Sequence, residues 1–316
     1  MLAIVCPGQG SQTPGFLTPW LELTGLRERA EAMSAASGID IVAHGTLSDE
    51  ETIKDTAIAQ PLIVAAGLLT LAPVLGNRGV AAVSFVAGHS VGEITAAAAT
   101  GVLGDTEAVA FVAERGAGMA AASAVTPTGM SAILGGDATE VLETLAGLGL
   151  TPANSNGAGQ IVAAGTLEQL AALADNPPAR ARVIPLKVAG AFHTAHMAAA
   201  VTRLATFAES LSVADPVVPV VSNADGQALS DGTEILARLV SQVTNPVRWD
   251  QCMETLVAQG VTGLIEVAPA GTLVGLAKRA MKGVETLAVK TPDDLDAAAR
   301  MLRDHGTDID PEGHTR

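Results

Sequence analysis

The chain has 316 residues, of which 48% are hydrophobic but only 2% aromatic, with no tyrosine. Its core must therefore be built from Ala, Val, Leu and Ile, which favours helices packed on a sheet over a β-sandwich. The formal net charge of −15, without a cluster of Lys and Arg, argues against nucleic acid as a partner.

The sequence gives no sign of a membrane span or a targeting segment. The most apolar run, 61–75, is short for a transmembrane helix and is interrupted by Gly, Thr and Pro. Residues 1–5 lack a basic region and lead directly into a Pro-Gly turn, so we expect no signal peptide and a cytoplasmic protein. Cys6 and Cys252 are interpreted as small core hydrophobes. We predict no metal site, because the histidines are not joined to Cys, Asp or Glu at ligand spacing.

The first third of the chain alternates between strand and helix patterns. Apolar runs that end in Gly-containing turns predict buried strands at 2–6 and 82–87. Helical patterns lie between them at 19–36 and 50–75, and the alanine-rich stretch 91–100 predicts a further helix. This order predicts an α/β fold with a large α/β-hydrolase-like domain built on a central parallel sheet.

A second pattern begins near residue 127. Short apolar runs predict four strands, at 130–134, 150–154, 160–164 and 182–188. Two helices separate them, each opened by a capping box, Asp137 to Glu140 and Thr166 to Gln169. The order βαββαβ predicts a small ferredoxin-like domain inserted into the larger one.

The larger domain resumes after this insertion. A helix is predicted at 197–211, and strands at 217–222 and 263–267. The last dozen residues are polar, which predicts a frayed tail. The predicted domains are a large catalytic domain at 1–126 and 189–303, a small domain at 127–188 and a polar tail at 304–316.

A glycine-flanked serine, Ser90, follows the second predicted strand in the segment Gly88-His89-Ser90-Val91-Gly92-Glu93. A Gly-x-Ser-x-Gly turn between a strand and a helix exposes the hydroxyl, and the helix N-terminus directs backbone N–H groups at any oxyanion formed nearby. The same residues admit a second interpretation, because Ser90-x-x-Glu93 is also a helix capping box. The turn alone leaves both open.

Five short segments occur in the order typical of one enzyme family. They are PGQGSQ at 7–12, GHSVGE at 88–93, ERGAGM at 114–119, GAFHTAHM at 190–197 and QVTNPVRW at 242–249. Together with Gln60-Pro61 and Asn154-x-Asn156-x-x-x-Gln160, they resemble the malonyl-CoA:acyl-carrier-protein transacylases over about 4–287. The resemblance implies malonyl transfer by a ping-pong mechanism through an acyl-serine.

The resemblance also implies the catalytic roles. Ser90 is expected to attack the malonyl thioester, with His193 as its general base 103 residues downstream. His196 is the alternative base. No Asp stands out as a third member of a triad. The resemblance implies that the backbone carbonyl of Gln242, in the loop before Pro246, holds the imidazole instead.

The resemblance implies that Arg115 selects the substrate. A guanidinium offers a planar pair of donors that matches a carboxylate, and malonyl differs from acetyl by its free carboxylate. On an unrecognised helix, Arg115 would be a solvated charge or a partner of Glu114. Met119 lies one turn further along the same helix face and is expected to line the pocket. Phe192 resembles the position that leaves no space for an α-branch in malonyl-loading relatives.

The remaining predicted site residues surround the nucleophile. The resemblance implies that the backbone N–H groups of Gln9 and Val91 form the oxyanion hole. Gln9 lies in a Gly-Gln-Gly turn, which allows the backbone to approach a ligand closely. His89 and Asn154 resemble residues that support the site from behind.

The expected substrate is malonyl-CoA and the expected partner is acyl carrier protein, with no cofactor bound by the chain, no nucleic acid or membrane partner, and a monomeric state. Carrier proteins are generally acidic, so docking needs a local basic patch against the overall charge. Its candidates are Lys187, Arg248, Lys278, Arg279 and Lys282. The alternatives are a polyketide-pathway transferase for malonyl or another dicarboxylic acyl group, a serine esterase or thioesterase, and a non-catalytic scaffold that binds acyl carriers.

Overall fold

The computed structural model describes residues 1–307, which form two sheets and twelve α-helices. The strands are β1 (Leu2–Cys6), β2 (Phe85–Gly88), β3 (Thr128–Gly135), β4 (Thr151–Gly157), β5 (Gln160–Thr166), β6 (Ala181–Pro185), β7 (Val220–Val221), β8 (Ala228–Leu229), β9 (Val247–Arg248), β10 (Gly263–Glu266) and β11 (Glu285–Ala288). The helices are α1 (Leu26–Ser37), α2 (Ile41–Thr46), α3 (Thr56–Leu75), α4 (Gly92–Ala99), α5 (Asp105–Ser123), α6 (Ala138–Gly147), α7 (Leu167–Asp175), α8 (Ala198–Ala208), α9 (Gly232–Ser241), α10 (Trp249–Ala258), α11 (Thr272–Ala280) and α12 (Leu295–His305).

The larger sheet has the strand order β11-β10-β1-β2-β7-β8. Its first five strands are parallel, which confirms the predicted central parallel sheet, and the short edge strand β8 runs antiparallel to β7. Every residue of β1 is buried, as expected for a parallel strand covered by helices on both faces. The carboxyl ends of β1 and β2 lie side by side, with Cys6 paired to Gly88, so the loops that follow both strands meet at one edge.

The smaller sheet has the order β6-β3-β5-β4, with every one of these neighbours antiparallel. This is the strand order of a split βαβ unit, and it confirms the predicted ferredoxin-like arrangement. Strand β9, from the later part of the chain, adds to this sheet parallel to β4. The domain boundaries at 127 and 188 stay a prediction.

The two predicted capping boxes of the small sheet's helices differ. The Thr166 box is complete, with its side chain and that of Gln169 each bonded to the other's backbone. Asp137 accepts from the first turn of α6 as predicted, but Glu140 instead accepts from the N–H of Ala179. The carboxylate of Glu140 therefore bonds to a residue 39 positions away in the chain and does not complete the capping box.

The run 61–75 was expected to be too short to cross a membrane. In the structure, helix α3 and the turn after it extend over 56–78, a segment that is long and apolar enough to cross a membrane by length and composition alone. In the fold, however, 83% of its most apolar window is buried inside the protein. The helix packs against α5 and α4, where it forms the centre of the main core.

Several predicted elements have other ends in the structure: the predicted helix at 50–75 begins at Thr56, for example, and the predicted strand at 217–222 is reduced to β7. The predicted helix at 19–36 begins only at Leu26, because Gly25 takes a left-handed conformation with φ 83° and ends the preceding turns. At the other end, α12 continues to His305, inside the predicted polar tail. The ring of His305 bonds to Glu285 and Thr262, which holds the last turn in place. The rest of the predicted tail from residue 308 lies outside the described residues.

Candidate active site

The turn between β2 and α4 presents Ser90 with a left-handed backbone, at φ 54°. The flanking glycines make the turn possible: a Cβ on Gly88 would lie 1.9 Å from the carbonyl oxygen of Gly92, and one on Gly92 would lie 2.2 Å from that of Cys6. The side chain of Asn223 fixes the strained residue, because its Oδ1 accepts from the N–H of Ser90 at 2.7 Å. The serine is thus held by its backbone, and its hydroxyl is free to make other contacts.

The Ser90 hydroxyl lies 2.7 Å from Nε2 of His193. It therefore does not cap α4, which begins after Val91 without a side-chain cap. The capping-box interpretation of the turn is wrong, since the Glu93 side chain also bonds elsewhere, to Asn223 and Gln242. The fold brings together two residues 103 positions apart, as the resemblance implied.

His193 is buried and held on its second nitrogen. Its Nδ1 lies 2.8 Å from the backbone carbonyl oxygen of Gln242, and because a carbonyl only accepts, Nδ1 carries the proton and Nε2 is left to accept from Ser90. Burial, and secondly the charge of Arg115, lower the pKa of His193 from 6.5 to about 3. The imidazole is therefore neutral at physiological pH, the state that a general base needs. His196 is exposed and lies outside the cavity lining.

Arg115 lies on α5 with its side chain only 1% exposed. Its Nη1 donates to Oε1 of Gln60 at 2.5 Å, and its Nη2 donates to Oε1 of Gln242 at 2.8 Å. Its Nε is buried without a partner in the described part of the chain. Burial lowers the pKa of Arg115 to about 10, against the opposing charge of Glu93, so the group remains a cation at neutral pH. The alternative pairing with Glu114 is absent, since that carboxylate bonds to Arg203 on the surface.

A cavity of about 260 Å³ joins these groups at the edge where β1 and β2 end. Nine of the ten predicted site residues line it: Gln9, His89, Ser90, Val91, Arg115, Met119, Asn154, Phe192 and His193. The tenth, Gln242, lies behind the lining and contacts His193 and Arg115. The small sheet contributes an apolar wall from Met130, Ala132 and Val162. The cavity is thus lined by the cation of Arg115 and by the Ser90–His193 pair, and its wall from the small sheet is apolar.

Two backbone N–H groups are available near the nucleophile. Within residues 1–307, neither the N–H of Gln9 nor that of Val91 donates to a protein acceptor. Both residues line the cavity, and the side chain of Gln9 is anchored by donating to the carbonyl of Lys54 at 3.3 Å. Val91 precedes the first residue of α4 and Gln9 lies in the turn after β1, and unpaired N–H groups of this kind suit the negative oxygen of a tetrahedral intermediate.

His89, next to the nucleophile, connects the nucleophile turn to the small sheet. Its Nε2 bonds to Oδ1 of Asn156 at 2.8 Å, and its ring packs edge-on against Trp249. Burial lowers the pKa of His89, so this ring is neutral as well. The small sheet is therefore tied to the nucleophile turn through Asn156, whereas the predicted supporting residue Asn154 only lines the cavity.

Four polar residues of the site had no predicted role. Gln60 and Asn156 stood in segments that carried the resemblance, so a signal for them was present. Glu93 stood in such a segment too, GHSVGE, but was otherwise considered only as part of a helix cap, and Asn223 had no local pattern at all. Each acts through contacts with residues at least 50 positions away, such as Gln60 with Arg115 and Asn223 with Ser90.

The predicted basic residues lie in different settings. Lys278 and Arg279 are in the last turn of α11, whose earlier residues Thr272 and Leu276 line the cavity. Arg279 also donates to Gln160 at the cavity wall, at 3.3 Å. Lys187 is exposed between the lining residues 186 and 188. Arg248 already pairs with Asp250, and Lys282 is exposed just after the end of α11.

The chain is similar in sequence to known acyltransferases. The model of the acyl transferase domain family matches residues 3–309. The malonyl CoA-acyl carrier protein transacylase of Mycobacterium tuberculosis H37Rv is 52% identical over 303 residues, which cover 95% of this chain and 100% of that protein. The enzyme of the same name from Escherichia coli K12 is 35% identical over 307 residues, covering 95% of this chain and 99% of that protein.

Solved structures agree with these sequence matches. The crystal structure of the M. tuberculosis enzyme superposes with a TM-score of 0.90 at 52% identity and covers 95% of this chain and 99% of its own. A malonyl-transacylase solved in complex with its type II polyketide-synthase acyl-carrier protein superposes with a TM-score of 0.88 at 32% identity, covering 95% and 99%. The chain therefore belongs to the acyl transferase domain family and, within it, to the malonyl CoA-acyl carrier protein transacylases.

Proposed function

We propose that this chain transfers the malonyl group from malonyl-CoA to the phosphopantetheine thiol of acyl carrier protein, through a malonyl ester on Ser90, and so supplies extender units for fatty-acid synthesis. One observation carries the proposal. The Ser90–His193 pair and the buried cation of Arg115 face the same small cavity, so a nucleophile and a carboxylate-binding group act on one substrate.

In the first half-reaction, Ser90 Oγ attacks the thioester carbonyl while Nε2 of His193 removes its proton. The N–H groups of Gln9 and Val91 stabilise the negative oxygen of the tetrahedral intermediate. As the intermediate collapses, the carbon–sulfur bond breaks and the CoA sulfur takes the proton from His193. CoA leaves as a thiol, and the malonyl group remains on the serine as an ester.

The second half-reaction reverses these roles with a different thiol. The phosphopantetheine thiol gives its proton to Nε2 of His193 and attacks the ester carbonyl. The carbon–oxygen bond breaks, and Ser90 recovers a proton from the imidazolium. The carbonyl of Gln242 keeps Nδ1 protonated and stabilises the transient imidazolium, the task that a carboxylate has in hydrolase triads.

Arg115 supplies the preference for malonyl. Two of its five N–H donors are held by glutamine side chains, which leaves the unpaired Nε–H and the second N–H of each terminal nitrogen for the substrate carboxylate. Met119 and Phe192 close the apolar sides of the same cavity, and Phe192 limits the space for an α-methyl branch.

The carrier protein is proposed to dock on the basic end of α11. Lys278 and Arg279 lie two turns or less from cavity-lining residues of the same helix, which suits an acidic partner that must deliver a long thiol arm. The protein is proposed to act as a cytoplasmic monomer that needs no bound cofactor, nucleic acid or membrane.

A hydrolase is the main rival for this geometry. The half-buried nucleophile lies in a cavity whose walls limit the access of water to the acyl-serine, which supports a transferase. The chain is also similar to a malonyl-transacylase solved with its polyketide-synthase carrier protein, so polyketide synthesis is the second candidate pathway. The two pathways differ in the carrier protein, and the chemistry at Ser90 is the same.

The direct test is transfer of label. Protein incubated with radiolabelled malonyl-CoA is expected to carry label on Ser90, and added carrier protein is expected to remove it as malonyl-carrier. Ser90→Ala is expected to take up no label. Release of free malonate faster than transfer to the carrier would contradict the proposal and support a hydrolase, and a fatty-acid and a polyketide carrier used side by side distinguish the two pathways.

Removing the guanidinium tests substrate selection. Arg115→Ala is expected to lower kcat/KM for malonyl loading by about 100-fold, which corresponds to about 3 kcal/mol of lost charged hydrogen bonds. Acetyl loading is expected to be spared, because acetyl has no carboxylate. The matched control is Arg203→Ala, which removes a surface arginine paired with the neighbouring Glu114. Equal loss of malonyl and acetyl loading would mean that Arg115 is structural.

The depressed pKa of His193, about 3 because of burial and of Arg115, predicts the pH dependence. The loading rate at saturating malonyl-CoA is expected to stay within about twofold between pH 7.5 and 5.5, whereas a histidine of pKa 6.5 would be only about 10% neutral at pH 5.5. Single-turnover quenched-flow measures this rate. A tenfold fall centred near pH 6.5 would contradict the assignment.

Stability has to be followed in the same pH series. Because the unfolded chain binds the histidine proton first, this group lowers the free energy of unfolding as the pH falls from 6.5 towards 3. Unfolding midpoints at each pH therefore separate loss of fold from loss of the base.

A further inference from the structure

One buried carboxylate of the site has no part in the mechanism above. Glu93 lies in the first turn of α4, three residues after the nucleophile, with only 2% of its surface exposed. Its Oε1 accepts from the backbone N–H of Asn223 at 2.9 Å, and its Oε2 accepts from Nε2 of Gln242 at 2.5 Å. It does not touch the cavity, so any role in the reaction must act through these partners.

The side-chain amide of Gln242 joins this carboxylate to the cation of Arg115. Its nitrogen faces acceptors, namely Glu93, the carbonyl of Ser90 at 3.2 Å and Oδ1 of Asn223 at 3.3 Å. Its oxygen accepts from Nη2 of Arg115 at 2.8 Å. The backbone carbonyl of the same residue holds His193, so Gln242 contacts both functional ends of the site.

Only one orientation of this amide satisfies all of its neighbours. A rotation by 180° would place the amide oxygen against a carboxylate and two carbonyl oxygens, and its NH₂ group against a guanidinium that has no acceptor to offer. Burial raises the pKa of Glu93 to about 7, so above that pH Glu93 is the charged member among these acceptors. Hydrogen bonds to ionised groups are about twice as strong as neutral ones. The carboxylate therefore contributes most to the choice of orientation.

We propose that Glu93 is a positioning residue for substrate selection: its carboxylate fixes the amide of Gln242 so that Oε1 faces Arg115 and holds the guanidinium in place for a substrate carboxylate. This inference rests on the function proposed above. Glu93 also offsets the cost of burying Arg115, because its negative charge favours the arginine cation.

The isosteric change Glu93→Gln tests the proposal. The substituted side chain retains an oxygen that accepts from the N–H of Asn223, so the support of the nucleophile turn through Asn223 is preserved. Its NH₂ group then faces the NH₂ group of Gln242, which favours rotation of the Gln242 amide and removes one of the two acceptors of Arg115.

The expected result is a change in selectivity. KM for malonyl-CoA in the loading reaction, measured at pH 8, is expected to rise about tenfold, with kcat changed by less than about threefold, as for loss of one hydrogen bond to a charged group. Loading of acetyl-CoA is expected to change by less than about twofold. A merely structural role would lower both reactions in proportion.

Three further variants make the test specific. Glu114→Gln is the matched control, because this carboxylate precedes Arg115 in the chain but pairs with Arg203 on the surface, and it is expected to leave selectivity unchanged. Gln242→Met removes the amide and is expected to reproduce the selectivity loss. The double variant with Glu93→Gln is expected to show no additional loss, since both changes break one connection.

Glu93→Asp covers the case in which Glu93→Gln fails to fold. An aspartate still only accepts hydrogen bonds but is shorter by one methylene, so KM for malonyl-CoA is expected to rise by about threefold with acetyl loading unchanged. An unchanged malonyl-to-acetyl ratio in a folded Glu93→Gln, or in Glu93→Asp when that variant alone folds, would overturn the proposal. So would fully additive losses in the double variant. If the unmodified protein fails to load malonyl on Ser90, the proposed function itself fails.

Discussion

The burial of a full positive charge at Arg115 is the constraint on which the rest of the site depends. An isolated charge is costly in a protein interior, and it persists only when hydrogen bonds and an opposite charge offset that cost. Here Gln60 and Gln242 accept from its terminal nitrogens, and Glu93 supplies the opposite charge behind them. The same charge helps to keep His193 neutral, so the substrate-binding group also prepares the base.

This arrangement explains how the site works without a catalytic carboxylate beside the histidine. A carboxylate on Nδ1 would raise the pKa of His193 and compete with the substrate for Arg115. The neutral carbonyl of Gln242 orients the same nitrogen without adding charge. The negative charge of the site is instead placed on Glu93, on the far side of an amide, where it stabilises the guanidinium and leaves its Nε free.

Much of the fold follows from local patterns in the sequence. The fully apolar β1, the capping box at Thr166 and the βαββαβ order each record a local preference, and all three are present. Helices α9 to α12 were not predicted, and the contacts of Glu93 and Asn223 were not either. The roles of those side chains depend on contacts with residues far away in the chain. Asn223, for example, bonds to Ser90, 133 residues away, and a single sequence contains no periodic signal for such pairs.

The central claim is that one cavity holds the acyl-serine and the carboxylate clamp together. A crystal structure of the protein trapped after exposure to malonyl-CoA tests this most directly. The account predicts an ester on Ser90 Oγ whose free carboxylate lies within hydrogen-bond distance of Arg115, with Nδ1 of His193 still bonded to the carbonyl of Gln242. An acyl group on another residue, or a carboxylate directed to solvent while Arg115 keeps only its glutamine partners, would contradict the account.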